Sequence, residues 1–156
     1  MRLSRTFASF SLAAMVSALP ALADPSTDTA SNLVDARPQL TQELAEKLWD
    51  WAEVGYQETK SSQLLQDTLS LEEFRIESGV AGIPTAFIAE YGSGEPVIAI
   101  LAEYDALPGI NQTASPDREQ REDVGAGHAC GHNLFGAGSV SAAIAIRHWL
   151  EDTGTE

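Results

Sequence analysis

The stretch Val97-Ile-Ala-Ile-Leu-Ala-Glu-Tyr-Asp-Ala-Leu-Pro-Gly109 decides how this chain is expected to fold. Its first six residues are apolar without interruption, the pattern of a strand buried on both faces. Such a strand belongs in the middle of a sheet covered by helices. Two carboxylates, Glu103 and Asp105, follow directly, and in α/β domains active groups gather at the carboxyl ends of strands. A carboxylate there can accept the ring N–H of a ligand histidine. It can equally serve as a turn or N-cap group ahead of Pro108.

Upstream, the spacing predicts a helix over Gln39 to Glu53, with Leu40, Leu44, Leu48, Trp51 and Ala52 on one face. Pro38 marks its start and Gly55 its stop. A second helix is expected over Thr59 to Leu71, with Leu64, Leu65 and Leu69 facing inward. Phe74 to Ser78 alternates like a half-buried strand. Thr85 to Tyr91 should form a hairpin with the apolar strand around the turn Gly92-Ser93-Gly94. Downstream, Asp105 to Gly131 reads as a long polar loop, and its charged run Asp117 to Asp123 as a solvated surface. Leu134 to Leu150 reads as an apolar helix whose small residues allow close packing. The sum is an α/β layered domain, a mixed sheet covered by helices.

The 156 residues bound this to one ordinary domain of globular composition, 44% hydrophobic and 21% charged. A net charge of −14 argues against non-specific nucleic-acid binding, which needs a basic footprint. Residues 1–23 have the layout of a cleaved export signal: Arg2 and Arg5, an apolar Phe7 to Leu19, then Ala21-Leu22-Ala23. That apolar run is shorter than the roughly 20 residues of a membrane span. The mature protein is therefore expected to be exported, periplasmic or secreted, and free of the membrane once the signal is cleaved. Cleavage leaves 7 basic against 23 acidic side chains. Residues 24–37, rich in Ser, Thr, Asp and Ala, read as a flexible leader, and 38–156 as the folded part.

The chemistry concentrates in Val124-Gly-Ala-Gly-His-Ala-Cys-Gly-His-Asn-Leu134, which holds two of the three histidines and the only cysteine. Thiolate and imidazole are ligands for zinc-like metals. In an extended loop residues two apart point the same way, so His128, Cys130 and His132 are expected to converge. Cys130 and His132 are the best ligand candidates. His128 is a third ligand, a hydrogen-bond donor behind the ligands or a solvated side chain. Spacing alone leaves open a buried small cysteine and a surface histidine beside a helix start. A lone cysteine in an oxidising compartment has no partner for an intramolecular disulfide.

Ile100 to Gly109, followed by Gly127-His-Ala-Cys-Gly-His-Asn-Leu-Phe-Gly136, resembles the M20 metallopeptidase and amidohydrolase family. Within it the chain is most similar to the amidohydrolase branch (subfamily D) and its aminobenzoyl-glutamate utilisation type. Leu48 to Glu58 and Ile83 to Ala89 resemble that type too, and the similarity runs from about Gln39 to Leu150. The resemblance implies the amino-terminal part of a zinc-peptidase-like catalytic domain, with two divalent ions, zinc or manganese. Cys130 and His132 are then metal ligands, and Asp105 sets the geometry of the metal centre. Glu103 stands where many members carry a ligand histidine. Asn133 stands where many amidohydrolases carry Asp, which favours this subtype over the auxin-conjugate hydrolases.

The implied reaction is hydrolysis of the amide of an N-acyl amino acid or small peptide, with p-aminobenzoyl-glutamate as type substrate. Two ions polarise the carbonyl and acidify a water, and a glutamate moves its proton. The resemblance places that glutamate, further ligands and a lid domain beyond Glu156. His148 would lie about 24 Å along a helix from His132, too far to complete the same site. This 156-residue chain is therefore expected to be an inactive fragment of an enzyme that works as a homodimer or hetero-oligomer at full length. The alternatives are a non-catalytic exported remnant with at most weak metal binding, and a secreted module whose loop merely packs.

Overall fold

A computed structural model of the chain describes residues 25–155; the expected export signal lies outside them. Four helices carry the fold: α1 (Pro25–Asp35), α2 (Pro38–Trp51), α3 (Thr59–Leu71) and α4 (His132–Thr153). Two small antiparallel ladders join them, β1 (Arg75–Ser78) with β2 (Phe87–Glu90), and β3 (Leu107–Pro108) with β4 (Ala126–Gly127). Among the described residues no helix is long and apolar enough to cross a membrane.

The core lies where α2, α3 and α4 meet. Leu44, Ala45 and Leu48 of α2 pack with Leu65 and Leu69 of α3 and with Ala137, Val140 and Ile144 of α4. These positions recur every three or four residues, so each helix turns one apolar stripe inward. Pro38 occupies the first turn of α2, where its missing N–H costs nothing. The helix stops at Ala52, whose left-handed backbone returns its N–H to the Leu48 carbonyl at 3.0 Å. This stop falls earlier than Gly55, and Ala52 reaches it without a glycine. One polar contact threads the apolar packing: Thr41 and Ser141 share a 2.7 Å hydrogen bond between α2 and α4.

The β1/β2 ladder covers one end of this core. Its register pairs Ile76 with Ala89 and Ser78 with Phe87. Phe74, Ile76, Phe87 and Ala89 turn toward the helices, while Arg75 and Glu90 form a 2.6 Å cross-strand ion pair in solvent.

Three expectations are corrected. The stretch 24–37, expected as a flexible leader, is helical over Pro25–Asp35. It lies against α4, a tertiary contact of the kind that stabilises most short helices. Arg37, just past its end, hydrogen-bonds the Leu33 carbonyl at 3.3 Å and reaches the His148 ring at 2.7 Å. Second, Phe87–Glu90 pairs with Arg75–Ser78, and not with the apolar run across Gly92 to Gly94.

The third correction concerns Val97 to Ala102. Instead of one mixed sheet with this run at its centre, the described residues hold two short ladders, and the run belongs to neither. Val97, Ile98 and Leu101 are 80%, 81% and 75% exposed. The run is held from one side only. Ser139 of α4 donates to the Leu101 carbonyl at 3.1 Å. Gly136 lets the helix approach so closely that a Cβ there would sit 3.0 Å from the Glu103 carbonyl oxygen.

The core sets a stability prediction. Leu48 is fully buried, and Leu48→Ala should cost about 2–5 kcal/mol in urea unfolding. Leu71→Ala, at an 87% exposed position, should change it by no more than about 0.5 kcal/mol.

Candidate active site

The segment that carries Asp105 is fixed by the turn between α2 and α3. Val54 makes a parallel bridge to Ala106, and the Ala106 N–H donates to the Glu53 carbonyl at 2.8 Å. The Glu53 side chain faces the other way and caps α3. It accepts from the backbone N–H of Lys60 at 3.1 Å and of Ser61 at 2.8 Å, and from the Ser61 hydroxyl at 2.8 Å. A carboxylate at a helix N-terminus meets unpaired N–H groups and the positive end of the helix dipole. One residue thus ties the start of α3 to the backbone beside Asp105. Tyr104 adds a second tie through its hydroxyl, which donates to the Thr85 carbonyl; burial raises its pKa above the ordinary phenol value.

The loop that follows is closed at its base. Leu107 pairs with Gly127 and Pro108 with Ala126, and the Gly109 N–H reaches the Gly125 carbonyl at 2.8 Å. Gly127 is required by space. A Cβ there would lie 2.3 Å from the Ile110 carbonyl oxygen and 2.9 Å from the Asn111 Cα, both backbone atoms. Arg121, within the charged run, pins the excursion to the end of α2. It pairs with Asp123 at 2.7 Å and donates to the carbonyls of Trp49 at 3.4 Å and Asp50 at 3.2 Å. Guanidinium at the carbonyl end of a helix is favourable.

This closure delivers His132, the first residue of α4, to the two carboxylates. Its Nδ1 is 2.8 Å from Asp105 Oδ1, and its Nε2 is 2.9 Å from Glu103 Oε2. All three side chains are part-exposed, His132 at 22%. With Nδ1–H donated to Asp105, the Nε2 lone pair and the Glu103 carboxylate face each other. Two electron-rich atoms at 2.9 Å need positive charge with them, either a proton on Nε2 or a cation that both bind.

Cys130 does not join them. The expected convergence of residues 128, 130 and 132 assumed an extended loop. The chain turns instead: the Gly131 N–H bonds the His128 carbonyl at 2.9 Å, and Gly131 has φ +76°, leading straight into α4. Cys130 is exposed as a free thiol. His128 is buried against α2, its Nε2–H donating to the Leu48 carbonyl at 2.9 Å. Burial lowers its pKa, more than the contact with the Leu48 carbonyl raises it. His148 belongs to the far end of α4, where it meets Glu72 at 3.2 Å.

Among the described residues no group of three or more His, Cys, Asp and Glu side chains is placed to hold a metal ion. His132 and Glu103 offer two donors, and Asp105 faces the other ring nitrogen of the first. That donor set suits one edge of a divalent site and falls short of the three protein ligands plus water of a catalytic zinc.

Sequence reasoning overlooked Glu53 and Arg121. Glu53 carried a signal, an acidic residue shortly before the Thr59-Lys-Ser-Ser start of a helix. Arg121 carried none, because its role depends on where the loop folds back.

No family model matches the chain. Individual proteins do. The chain is 41% identical over 122 residues to a p-aminobenzoyl-glutamate hydrolase subunit of Escherichia coli (strain K12), an alignment covering 78% of this chain and 25% of that protein. It is 30% identical over 149 residues to the Xaa-Arg dipeptidase of Mus musculus, covering 83% and 31%. It is 34% identical over 101 residues to the N-acetylcysteine deacetylase of Bacillus subtilis (strain 168), covering 64% and 26%. The chain spans between a quarter and a third of the length of these relatives. Their names describe one chemical class, hydrolases of C–N amide bonds. The chain belongs to the M20 metallopeptidase and amidohydrolase family, and its described part is an incomplete α/β portion of that catalytic domain.

Two predictions follow from the loop geometry. Gly127→Ala should destabilise the protein by about 3 kcal/mol, the top of the ordinary range for overpacking, and loosen the Asp105–His132 contact in amide exchange. For His128 the folded ring binds its proton less readily than the unfolded one. Stability should therefore fall as pH drops below about 6.5, the ordinary imidazole value, and level off below the lowered folded value. Urea midpoints measured from pH 8 to 5 should show that slope, and His128→Gln should flatten it.

Proposed function

We propose that this chain is part of an exported metal-dependent amidohydrolase that cleaves the amide of an N-acyl amino acid, p-aminobenzoyl-glutamate-like in kind, or of a small peptide. The observation that carries this reading is His132 held between Asp105 and Glu103. The names of the relatives, a p-aminobenzoyl-glutamate hydrolase subunit, a dipeptidase and a deacetylase, support the substrate class. The Escherichia coli relative is named as one subunit of its hydrolase, which supports assembly of the whole enzyme with like or unlike chains. The layout of residues 1–23 supports export to the periplasm or beyond.

When bound, divalent zinc or manganese would polarise the scissile carbonyl and acidify a water. His132 would be a ligand through Nε2. Asp105 keeps the Nδ1–H and so presents Nε2 deprotonated in the right direction. Glu103, beside Nε2, supplies negative charge that favours a cation there. Cys130, an exposed thiol directly before Gly131, is the further ligand of this reading.

The 156-residue chain alone is proposed to be inactive. Two donors in contact, with a third displaced, give weak affinity for an ion that catalysis must hold tightly. Dialysis against zinc or manganese, followed by metal counting, tests the ligand assignment. Bound metal should fall at least tenfold in His132→Ala and several-fold in Cys130→Ser; equal loading of wild type and both variants would refute it. Turnover of p-aminobenzoyl-glutamate by this chain by itself would overturn the proposed inactivity.

A further inference from the structure

The far end of α4 carries a second cluster of titratable groups, about 24 Å along the helix from His132. The part-exposed ring of His148 stands at its centre. Four charged groups from three parts of the fold face that ring. Arg37, between α1 and α2, places Nη2 2.7 Å from Nε2. Glu72, at the C-terminal end of α3, places Oε2 3.2 Å from the same nitrogen. The neighbours of Nδ1 belong to α4 itself, Arg147 Nη1 at 3.4 Å and Glu151 Oε2 at 3.8 Å.

Nε2 cannot satisfy both of its neighbours at once. A guanidinium only donates and a carboxylate only accepts. In the neutral ring with Nδ1–H, the Nε2 lone pair accepts from Arg37 and leaves Glu72 without a donor there. In the imidazolium, Nε2–H donates to Glu72, and Arg37 meets a like charge at contact distance. The two arginines differ in what else holds them. Arg147 pairs with Glu73 at 2.5 Å and Glu151 at 3.0 Å, stands 3.6 Å from Glu72 and lies over the Tyr91 ring at 5.3 Å. Tyr91 in turn donates to Glu151 at 3.0 Å. Arg37 has no carboxylate partner among the described residues; its other side-chain bond there goes to the Leu33 carbonyl at 3.3 Å. Arg37 is therefore the group that protonation displaces.

We infer that His148 is a proton-controlled latch on α1. Neutral, it holds Arg37 and with it the end of α1 against α4. Protonated, it pairs with Glu72 and releases Arg37. α1 is suited to such control because its own packing is light: Ser31, Asn32, Val34 and Asp35 are exposed and Leu33 is half-buried. Losing Arg37 also strips the Leu33 carbonyl, at the negative end of the α1 dipole, of a cationic donor. Acidification opens the latch and a return to alkaline pH closes it, since imidazole is the side chain that changes charge between about pH 5 and 8. The latch is independent of the proposed amide hydrolysis, since it uses none of Glu103, Asp105 and His132.

The test records heteronuclear NOEs of the backbone amides of the 15N-labelled chain at pH 8 and at pH 5. The amides of Ser31 to Asp35 should be as ordered as those of α2 at pH 8 and distinctly less ordered at pH 5, with α2 unchanged. Arg37→Ala should leave α1 loosened at both pH values, and ring-nitrogen NMR at pH 8 should show His148 losing its preference for Nδ1–H. His148→Gln, whose side-chain oxygen accepts from Arg37 without titrating, should keep α1 ordered at both. His128→Gln should leave the pH response of α1 intact, which separates it from the titration of His128. A wild-type α1 whose order does not change with pH, a pH response that survives in His148→Gln, or an α1 still ordered at pH 8 in Arg37→Ala would overturn the inference.

Discussion

The contact between His132 Nδ1 and Asp105 Oδ1 at 2.8 Å is the constraint on which the rest of this structure turns. It joins the N-terminus of α4 to the end of the apolar run, 27 positions apart in the sequence. Everything nearby serves to make that contact cheap. The Val54–Ala106 bridge fixes one side, and the β3/β4 ladder closes the loop between the two residues. Gly127 and Gly136 let backbone pass backbone where a Cβ would collide. The conformational cost of ordering a long loop is thus met by many small contacts at its base and not by the histidine alone.

Much of the helical part was legible in the sequence. Leu44, Leu48, Leu65 and Leu69 sit where three- and four-residue spacing put them, because a helix has a fixed period that the apolar pattern reports directly. The sheet was less legible. Val97 to Ala102 has the composition of a buried strand, yet burial is a property of what lies alongside, and no described strand pairs with it. Residues 25–35 show the reverse case, a polar stretch that is helical and lies against α4.

The site divides along the same line. That Asp105 and His132 should belong together could be expected from a carboxylate at a strand end and a histidine in a glycine-rich loop. That Cys130 should stand apart could not, since the alternation rule holds for extended backbone and Gly131 at φ +76° breaks it. The same turn sends His128 and Asn133 to the α2 side, leaving Cys130 exposed. One turn thereby separates the loop into two faces, an anionic one around His132 and a buried one around His128.

The central claim is that Asp105 holds His132 as the Nδ1–H form and so reserves Nε2 for a cation. Ring-nitrogen NMR of the 15N-histidine-labelled chain at pH 8 measures this directly. The account predicts a protonated Nδ1 on His132 that loses its preference in Asp105→Ala, and a wild-type Nε2 signal that moves when zinc is added. A His132 ring protonated at Nε2 alone, with Nδ1 bare and indifferent to Asp105→Ala, would contradict it.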